Sequence, residues 1–307
     1  MFGENKMTIQ DAESIIQKYT KLSNPSEDDE MKFVDAMEYV IEENHLPEDM
    51  LYLGGYYYEK GKFNLALEYY ELAASYNYEP AYECLGYIWY YGRTGKKDYK
   101  KAFEYFSKSM ENGNLNSTYK VADMYKNGYY VDKNINTYIH MIEELFKKVK
   151  DCKNVFDPVP EVFTRLAKIR VEQGDVYEAV NFYLYAKDFL AQRIRLNAFF
   201  GNLNIMKWLI DDLYELIEFD VVHFDFYDLY YLLKTPHKIS FLYENKEYVI
   251  ESIQDEEGCK VYFNNRCYMD RDAFFKNAVI NNEKLTRIYD SLDYFELDDI
   301  IYSNHQS

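Results

Sequence analysis

The chain repeats itself, and no other property constrains its fold as tightly. The stretch YLGGYYYEKGKFNLALEYYELAASY, from Tyr52, aligns without a gap on RLAKIRVEQGDVYEAVNFYLYAKDF, from Arg165, at a constant offset of 113 residues. Leu53 matches Leu166, Gly54 matches Ala167, Gly61 matches Gly174 and Ala66 matches Ala179. Tyr69 with Phe182, Tyr70 with Tyr183 and Ala73 with Ala186 continue the match. Small residues recurring at equivalent helical positions are what close helix–helix approach requires. Two more units begin near Leu85 and Val121, which makes Gly54, Gly86 and Ala122 equivalent at spacings of 32 and 36 residues. A period of this size marks a repeat architecture, whose units stack because one unit cannot bury its own apolar face and needs neighbours to complete a core.

The middle units carry a fuller pattern. Leu85, Gly86, Trp89, Gly92, Gly95, Asp98, Lys101, Ala102, Phe103 and Phe106 follow it and end at Gly113. Val121, Ala122, Tyr125, Gly128, Val131 and Asp132 follow it again, after which Tyr138 stands where a small Ala is expected. On these residues the chain resembles tetratricopeptide repeat proteins, and its middle units resemble the Sel1-like variety. The resemblance implies a mainly α protein, a right-handed α-solenoid of stacked helix pairs, clearest over about residues 47–189. The bulk of Tyr138 implies a pair whose helices stand further apart, or a change of curvature. Upstream, Ile9, Ala12, Ile15, Ile16, Tyr19 and Leu22 mark an amphipathic helix capped by Thr8. Phe33, Met37, Val40 and Ile41 mark a second after the Asn24-Pro25-Ser26 break. Downstream, FLAQRIRLNAFF and LNIMKWLIDDLYELI, separated by Gly201-Asn202, read as a further helical pair.

Composition changes after about Tyr231. KISFLY, a turn at Glu244-Asn245-Lys246, and EYVIESI alternate apolar and polar residues, which signals a β-hairpin. Asp255-Glu256-Glu257-Gly258 turns the chain again, and KVYFNNRCYM suggests more strands around Asn264-Asn265. Asp270 to Leu292 returns to helical spacing through Phe274, Phe275, Ala278, Leu285 and Ile288. The expected organisation is a helical repeat domain over residues 1–235 and a small α+β module over 236–307.

Charge narrows the function. Lys and Arg number 35 against 53 Asp and Glu, a net charge of −18, which argues against a general nucleic-acid binder and an anionic membrane as partner. No apolar leader or run of membrane-spanning length is present, and the four cysteines form neither a disulfide framework nor a CxxC pair. A cytoplasmic address with reduced thiols is expected.

Catalytic and metal constellations are sparse. The five histidines make no zinc spacing, and no nucleophile elbow or phosphate-cradling Gly-rich loop occurs. No cofactor, metal or catalytic residue is expected. His223 with Asp225 and Asp228 is the nearest approach to a metal set, but a solvated acidic linker accounts for it better. Asp293, Asp298 and Asp299 lack the spacing and central Gly of a calcium loop and read as a solvated tail.

Function should then lie on the first helix of each pair, whose outward positions line the groove in the family the chain resembles. Met50, Leu53, Gly54 and Tyr57 take the packing face by spacing. That leaves Tyr52, Gly55, Tyr58 and Glu59 outward, followed in later units by Cys84, Tyr87, Tyr90 and Tyr91 with Glu83 beside them, by Tyr119, Lys120, Asp123 and Lys126, and by Arg165, Lys168, Val171 and Glu172. The 35 tyrosines have two explanations: an AT-rich coding bias, or a binding strip that uses rigid aromatic area. On the second, with Glu48, Glu59 and Glu83 at one end, the ligand is an extended segment carrying Lys or Arg and not an acidic tail. The leading function is a protein-interaction scaffold or adaptor binding a partner protein or peptide. The alternatives are an acidic inhibitor or immunity-type protein neutralising a basic partner, and an enzyme with a site in the C-terminal module. A homodimer through Tyr-rich repeats or a free strand edge stays open.

Overall fold

The computed structural model describes residues 7–22, 25–155, 157–196, 200–218 and 225–297. The chain divides into two units, residues 1–141 and 142–307.

The first unit is built from helices α1 (Ile9–Tyr19), α2 (Glu27–Asn44), α3 (Pro47–Glu59), α4 (Phe63–Ser75), α5 (Glu79–Tyr91), α6 (Tyr99–Glu111) and α7 (Leu115–Asn127), and it takes in the start of α8 (Ile135–Val149). Thr8 caps α1 through a reciprocal box with Asp11, and Ser26 caps α2 in the same way with Asp29. Pro47 and Pro80 sit in the first turns of α3 and α5, where a missing N–H costs nothing. Helices α1/α2, α3/α4 and α5/α6 pack as close antiparallel-type pairs. The spaced small residues explain the closeness. A methyl group on Gly54 would meet the Tyr70 ring at 2.6 Å, and one on Gly86 would meet Phe106 at 2.5 Å.

Successive units repeat down to single hydrogen bonds. Gly92 and Gly128 end α5 and α7 in the left-handed conformation, with φ of 64° and 72°. Asp98 N–H then donates to Trp89 C=O at 3.0 Å, and 36 residues on Asn134 N–H donates to Tyr125 C=O at 2.8 Å. These are helix pairs stacked in a repeating register. Tyr138, where the pattern has a small residue, is buried, with the Lys126 ammonium 4.9 Å from its ring centroid.

The second unit contains a close pair, α9 (Val159–Glu172) and α10 (Val176–Leu196), then α11 (Phe200–Leu216). A 3-10 turn (Phe226–Asp228) leads into α12 (Leu229–Leu232). Buried Arg193 closes one end of the pair, meeting Glu161 at 2.7 Å and donating to the carbonyls of Val155 and Asp157. A five-stranded antiparallel sheet follows, made of β1 (His237–Tyr243), β2 (Lys246–Asp255), β3 (Gly258–Phe263), β4 (Arg266–Tyr268) and β7 (Asp293–Leu297), in the order β4-β3-β2-β1-β7. Its turns are the expected ones, because Glu244, Asn245, Asn264 and Asn265 all take positive φ, as two-residue hairpin loops demand.

One expectation is corrected here. Asp270 to Leu292 is not a continuous helix. Helix α13 (Arg271–Asn277) stops early, and β5 (Val279–Ile280) and β6 (Glu283–Lys284) form a miniature hairpin before α14 (Leu285–Ile288). Asn281 and Asn282, with φ of 51° and 68°, make its turn without any glycine to announce it. The expected boundary at 235/236 falls inside the second unit. Tyr230 stacks on Phe275 at 3.6 Å between centroids, and Arg271 grips Asp211 of α11 with two nitrogens at 3.1 and 2.9 Å.

Candidate functional site

The outward residues of α3, α5 and α7 are largely engaged with one another. On α3, Tyr52 is 50% exposed and meets Phe33 edge-on at 6.2 Å, and Glu59 is exposed. Tyr58 lies against Phe63 at 5.1 Å, and its hydroxyl accepts from Arg93 Nε at 3.0 Å. Burial raises the Tyr58 hydroxyl above the usual phenol range, and Arg93 opposes the shift. On α5, Glu83 accepts from Asn114 Nδ2 at 2.8 Å. Tyr87 stacks parallel on Tyr91 at 6.1 Å and shares a 2.8 Å hydroxyl–hydroxyl bond with Tyr119 of α7. Tyr90 packs edge-on to Tyr91 and Tyr99, at 5.0 and 5.8 Å.

Two cations knit these rings together. The Arg93 guanidinium stands 4.9 Å from the Tyr91 centroid and 5.7 Å from that of Tyr58. Lys120 donates to the Tyr91 hydroxyl at 2.8 Å and sits 5.0–5.3 Å from the centroids of Tyr87, Tyr90, Tyr91 and Tyr119. A four-ring cage around an ammonium is a cation–π site, each ring contributing about 0.5–2 kcal/mol according to desolvation. A continuous aromatic and cationic network therefore runs from Tyr58 on α3 to Tyr119 on α7. The packing face is as expected: Met50, Leu53, Gly54 and Tyr57 are buried.

The two basic positions of the fourth unit belong to the second unit of the fold and are described within it. Arg165 Nη1 donates to its own helix at the Glu161 carbonyl, at 2.7 Å. Lys168 pairs with Asp212 at 2.9 Å and lines a cleft of about 220 Å³ with Val171, Glu172, Tyr183, Glu215 and Leu216.

Three of the cysteines are held in the thiol form. Burial pushes the Cys84 thiol up to about 12 and raises Cys152 and Cys259 above their ordinary range, the reverse of what a nucleophile needs. No group of three or more His, Cys, Asp or Glu among the described residues is placed to hold a metal ion. His223, Asp298 and Asp299 lie outside the described residues. Asp225 and Asp228 are not a solvated linker: Asp228 is 0% exposed, and both carboxylates meet Lys187, at 2.8 and 2.6 Å. No helix among the described residues is long and apolar enough to cross a membrane.

The expected tyrosines lie on α3, α5 and α7, and Arg93 was not among the expected residues. It falls in the turn after Gly92, and only the left-handed cap there returns its side chain to Tyr58.

No protein-family model matches the chain, and no curated protein matches it significantly. Solved structures do resemble it. A Sel1 repeat protein from Oxalobacter formigenes is 20% identical over 66% of this chain and 75% of its own, with a TM-score of 0.46. A protective antigen of uropathogenic Escherichia coli with an SLR fold is 17% identical over 68% of this chain and 49% of its own, at 0.45. Human IFIT1, solved as a dimer with m7Gppp-AAAA, is 16% identical over 72% of this chain and 53% of its own, at 0.39. The chain thus spans about half the length of the second and third of these proteins.

Proposed function

We propose that the protein is an interaction scaffold that holds an extended segment of a partner protein along α3, α5 and α7. The observation behind this reading is the aromatic and cationic network on those helices. Its inner members are fixed by packing, while Tyr52 and Tyr91 remain 50% and 42% exposed. Rings held rigid before a ligand arrives cost little ordering entropy on binding, which is why Tyr serves well at hot spots. The expected setting is a cytosol, and Glu48 and Glu59 at the α3 end favour a segment with Lys or Arg nearby.

Tyr58 and Tyr90 are poor choices for testing this, since truncating a packed ring would unfold its surroundings. The double variant Tyr52→Ser with Glu59→Gln changes a half-exposed ring and an exposed carboxylate of α3 and leaves the Arg93 and Lys120 contacts intact. Affinity capture from a lysate of the source organism, with the intact chain, is expected to retain a near-stoichiometric partner on the wild type. The double variant should hold it about tenfold or more less tightly, as two hot-spot losses imply. Equal capture by a folded variant rejects the reading. The net charge of −18 supports a second reading, an acidic inhibitor of a basic partner. Capture that collapses between low and moderate salt favours the inhibitor, and capture indifferent to salt favours the scaffold.

A further inference from the structure

Two lysines are buried among the described residues, and they are neutralised by different means. Lys187, 5% exposed, meets the carboxylates of Asp225 and Asp228. Lys120, 6% exposed, meets four tyrosine rings and one phenolic hydroxyl, and no carboxylate among the described residues lies within ion-pair distance of it. An ammonium carries three donors. The Tyr91 hydroxyl accepts one of them. Withdrawing such a group from water costs several kcal/mol, which ring faces offset in part and a carboxylate offsets better. A staple between α5 and α7 needs no charge at all, since the same four rings would close around a Met.

We propose that Lys120 is the seat of a carboxylate supplied by the bound segment. This rests on the groove reading above and adds the chemistry of one contact. Tyr91, with its exposed edge and its hydroxyl already on Lys120, forms the outer wall of the seat. Arg93 stands 4.9 Å from the centroid of that same ring and adds a second positive charge at the wall. Along this face Glu48 and Glu59 lie on α3, Glu83 on α5, where it accepts from Asn114, and Asp123 on α7, while Arg93 and Lys120 share the Tyr91 ring. A segment that fits carries an acidic group as well as the basic residue the α3 end favours. An Asp or Glu side chain and a free chain terminus offer the same carboxylate.

The test uses two phage-displayed random heptapeptide libraries, one flanked by linkers on both sides and one ending in a free C-terminus. Both are panned on the intact wild-type chain and on Lys120→Met, with circular dichroism and a thermal melt as fold controls. Wild-type panning is expected to fix Asp or Glu at one position in the first library, or to favour the second library if the terminus is the ligand. Synthetic peptides from the winners should bind Lys120→Met about 10- to 100-fold more weakly, the range for a hydrogen bond to a charged group. Replacing their acid with Gln or an amide should cost as much on the wild type and nothing further on Lys120→Met. That peptide-side substitution decides the matter even if Lys120→Met does not fold. Retained peptides without an acid, or equal binding after neutralisation, overturn the seat while leaving the groove intact. Retention of no peptide from either library overturns the groove reading and the seat with it.

Discussion

Replacing Lys187 with Met is expected to cost about 3–5 kcal/mol at pH 7, the usual result of stripping the partner from a buried charge. Methionine fills nearly the same volume, so the loss measures charge and not packing. Lys187, on α10, donates to Asp228 at 2.6 Å and pairs with Asp225 at 2.8 Å, which ties the helix to the 3-10 turn ahead of α12. Asp228 is 0% exposed, and its other oxygen accepts from the Asp225 N–H at 2.8 Å. Without Lys187 that carboxylate is left charged in an apolar setting, or it must take up a proton.

The pH dependence follows from the second option. Burial, with help from Asp225, already raises the Asp228 carboxyl above its ordinary 3.8, and Lys187 holds the rise in check. A carboxyl whose folded pKa exceeds its unfolded value carries no penalty below about pH 4, and a full penalty once pH has climbed through the folded pKa. Losing Lys187 raises that folded pKa further. The deficit of Lys187→Met should therefore be largest near pH 7 and shrink toward pH 4. The lysine is raised as well, but here the charged form gains: burial lowers its pKa, and the two aspartates outweigh this and raise it above 10.5. Its own contribution is thus complete at neutral pH and lost only as pH rises through that higher value. Urea denaturation from pH 4 to 8 gives the profile, and hydrogen exchange on α10 assigns it. Adding Asp228→Asn to Lys187→Met should restore much of the loss. A deficit that stays flat or widens toward pH 4 would contradict this account.

Asp228 also marks the limit of what sequence can reveal. The repeats were legible because their signal is local: a small residue on one helix and an aromatic on the next fall at fixed spacing, as Gly86 and Phe106 do. The hairpins of the C-terminal sheet were legible for a similar reason, since alternation and an Asn-bearing turn lie within a few residues. The β5–β6 hairpin escaped because its two-residue arms are too short to break the helical spacing around them. Lys187 and Asp228 are 41 residues apart, and either alone reads as solvent-exposed charge. The Lys120 cage was half visible. The outward positions of α5 and α7 follow from the repeat register, so Tyr87, Tyr90, Tyr91, Tyr119 and Lys120 were expected on one face. Their closure around the ammonium depends on how far α7 stands from α5, which no spacing within a helix encodes.

That same small-to-large signal yields the sharpest test of the repeat packing. Phe106→Ala should cost about 3–5 kcal/mol, because the ring is fully buried against α5. Gly86→Ala should also destabilise, by about 1–3 kcal/mol, although alanine is the better helix former by about 1 kcal/mol. The added methyl would lie 2.5 Å from two carbons of a ring that has nowhere to retreat, so overpacking outweighs propensity. The two changes should not add. Alanine at 106 vacates the space the new methyl needs, and the double variant should be more stable than the sum of the singles predicts by about 1–2 kcal/mol. Gly55 supplies the opposite sign within the same repeat. It lies in α3 beside Gly54, and a methyl there meets nothing within 4 Å. Gly55→Ala should therefore stabilise by about 0.4–1 kcal/mol, while Gly54→Ala, facing Tyr70 at 2.6 Å, should destabilise. Repeat arrays need not unfold in one step, so protection of α3 and α5 amides by hydrogen exchange is the better measure than a single midpoint. If both glycines of the Gly54-Gly55 pair respond alike, close approach between α3 and α4 is not what selects the small residue, and the packing logic of the repeats fails at its first unit.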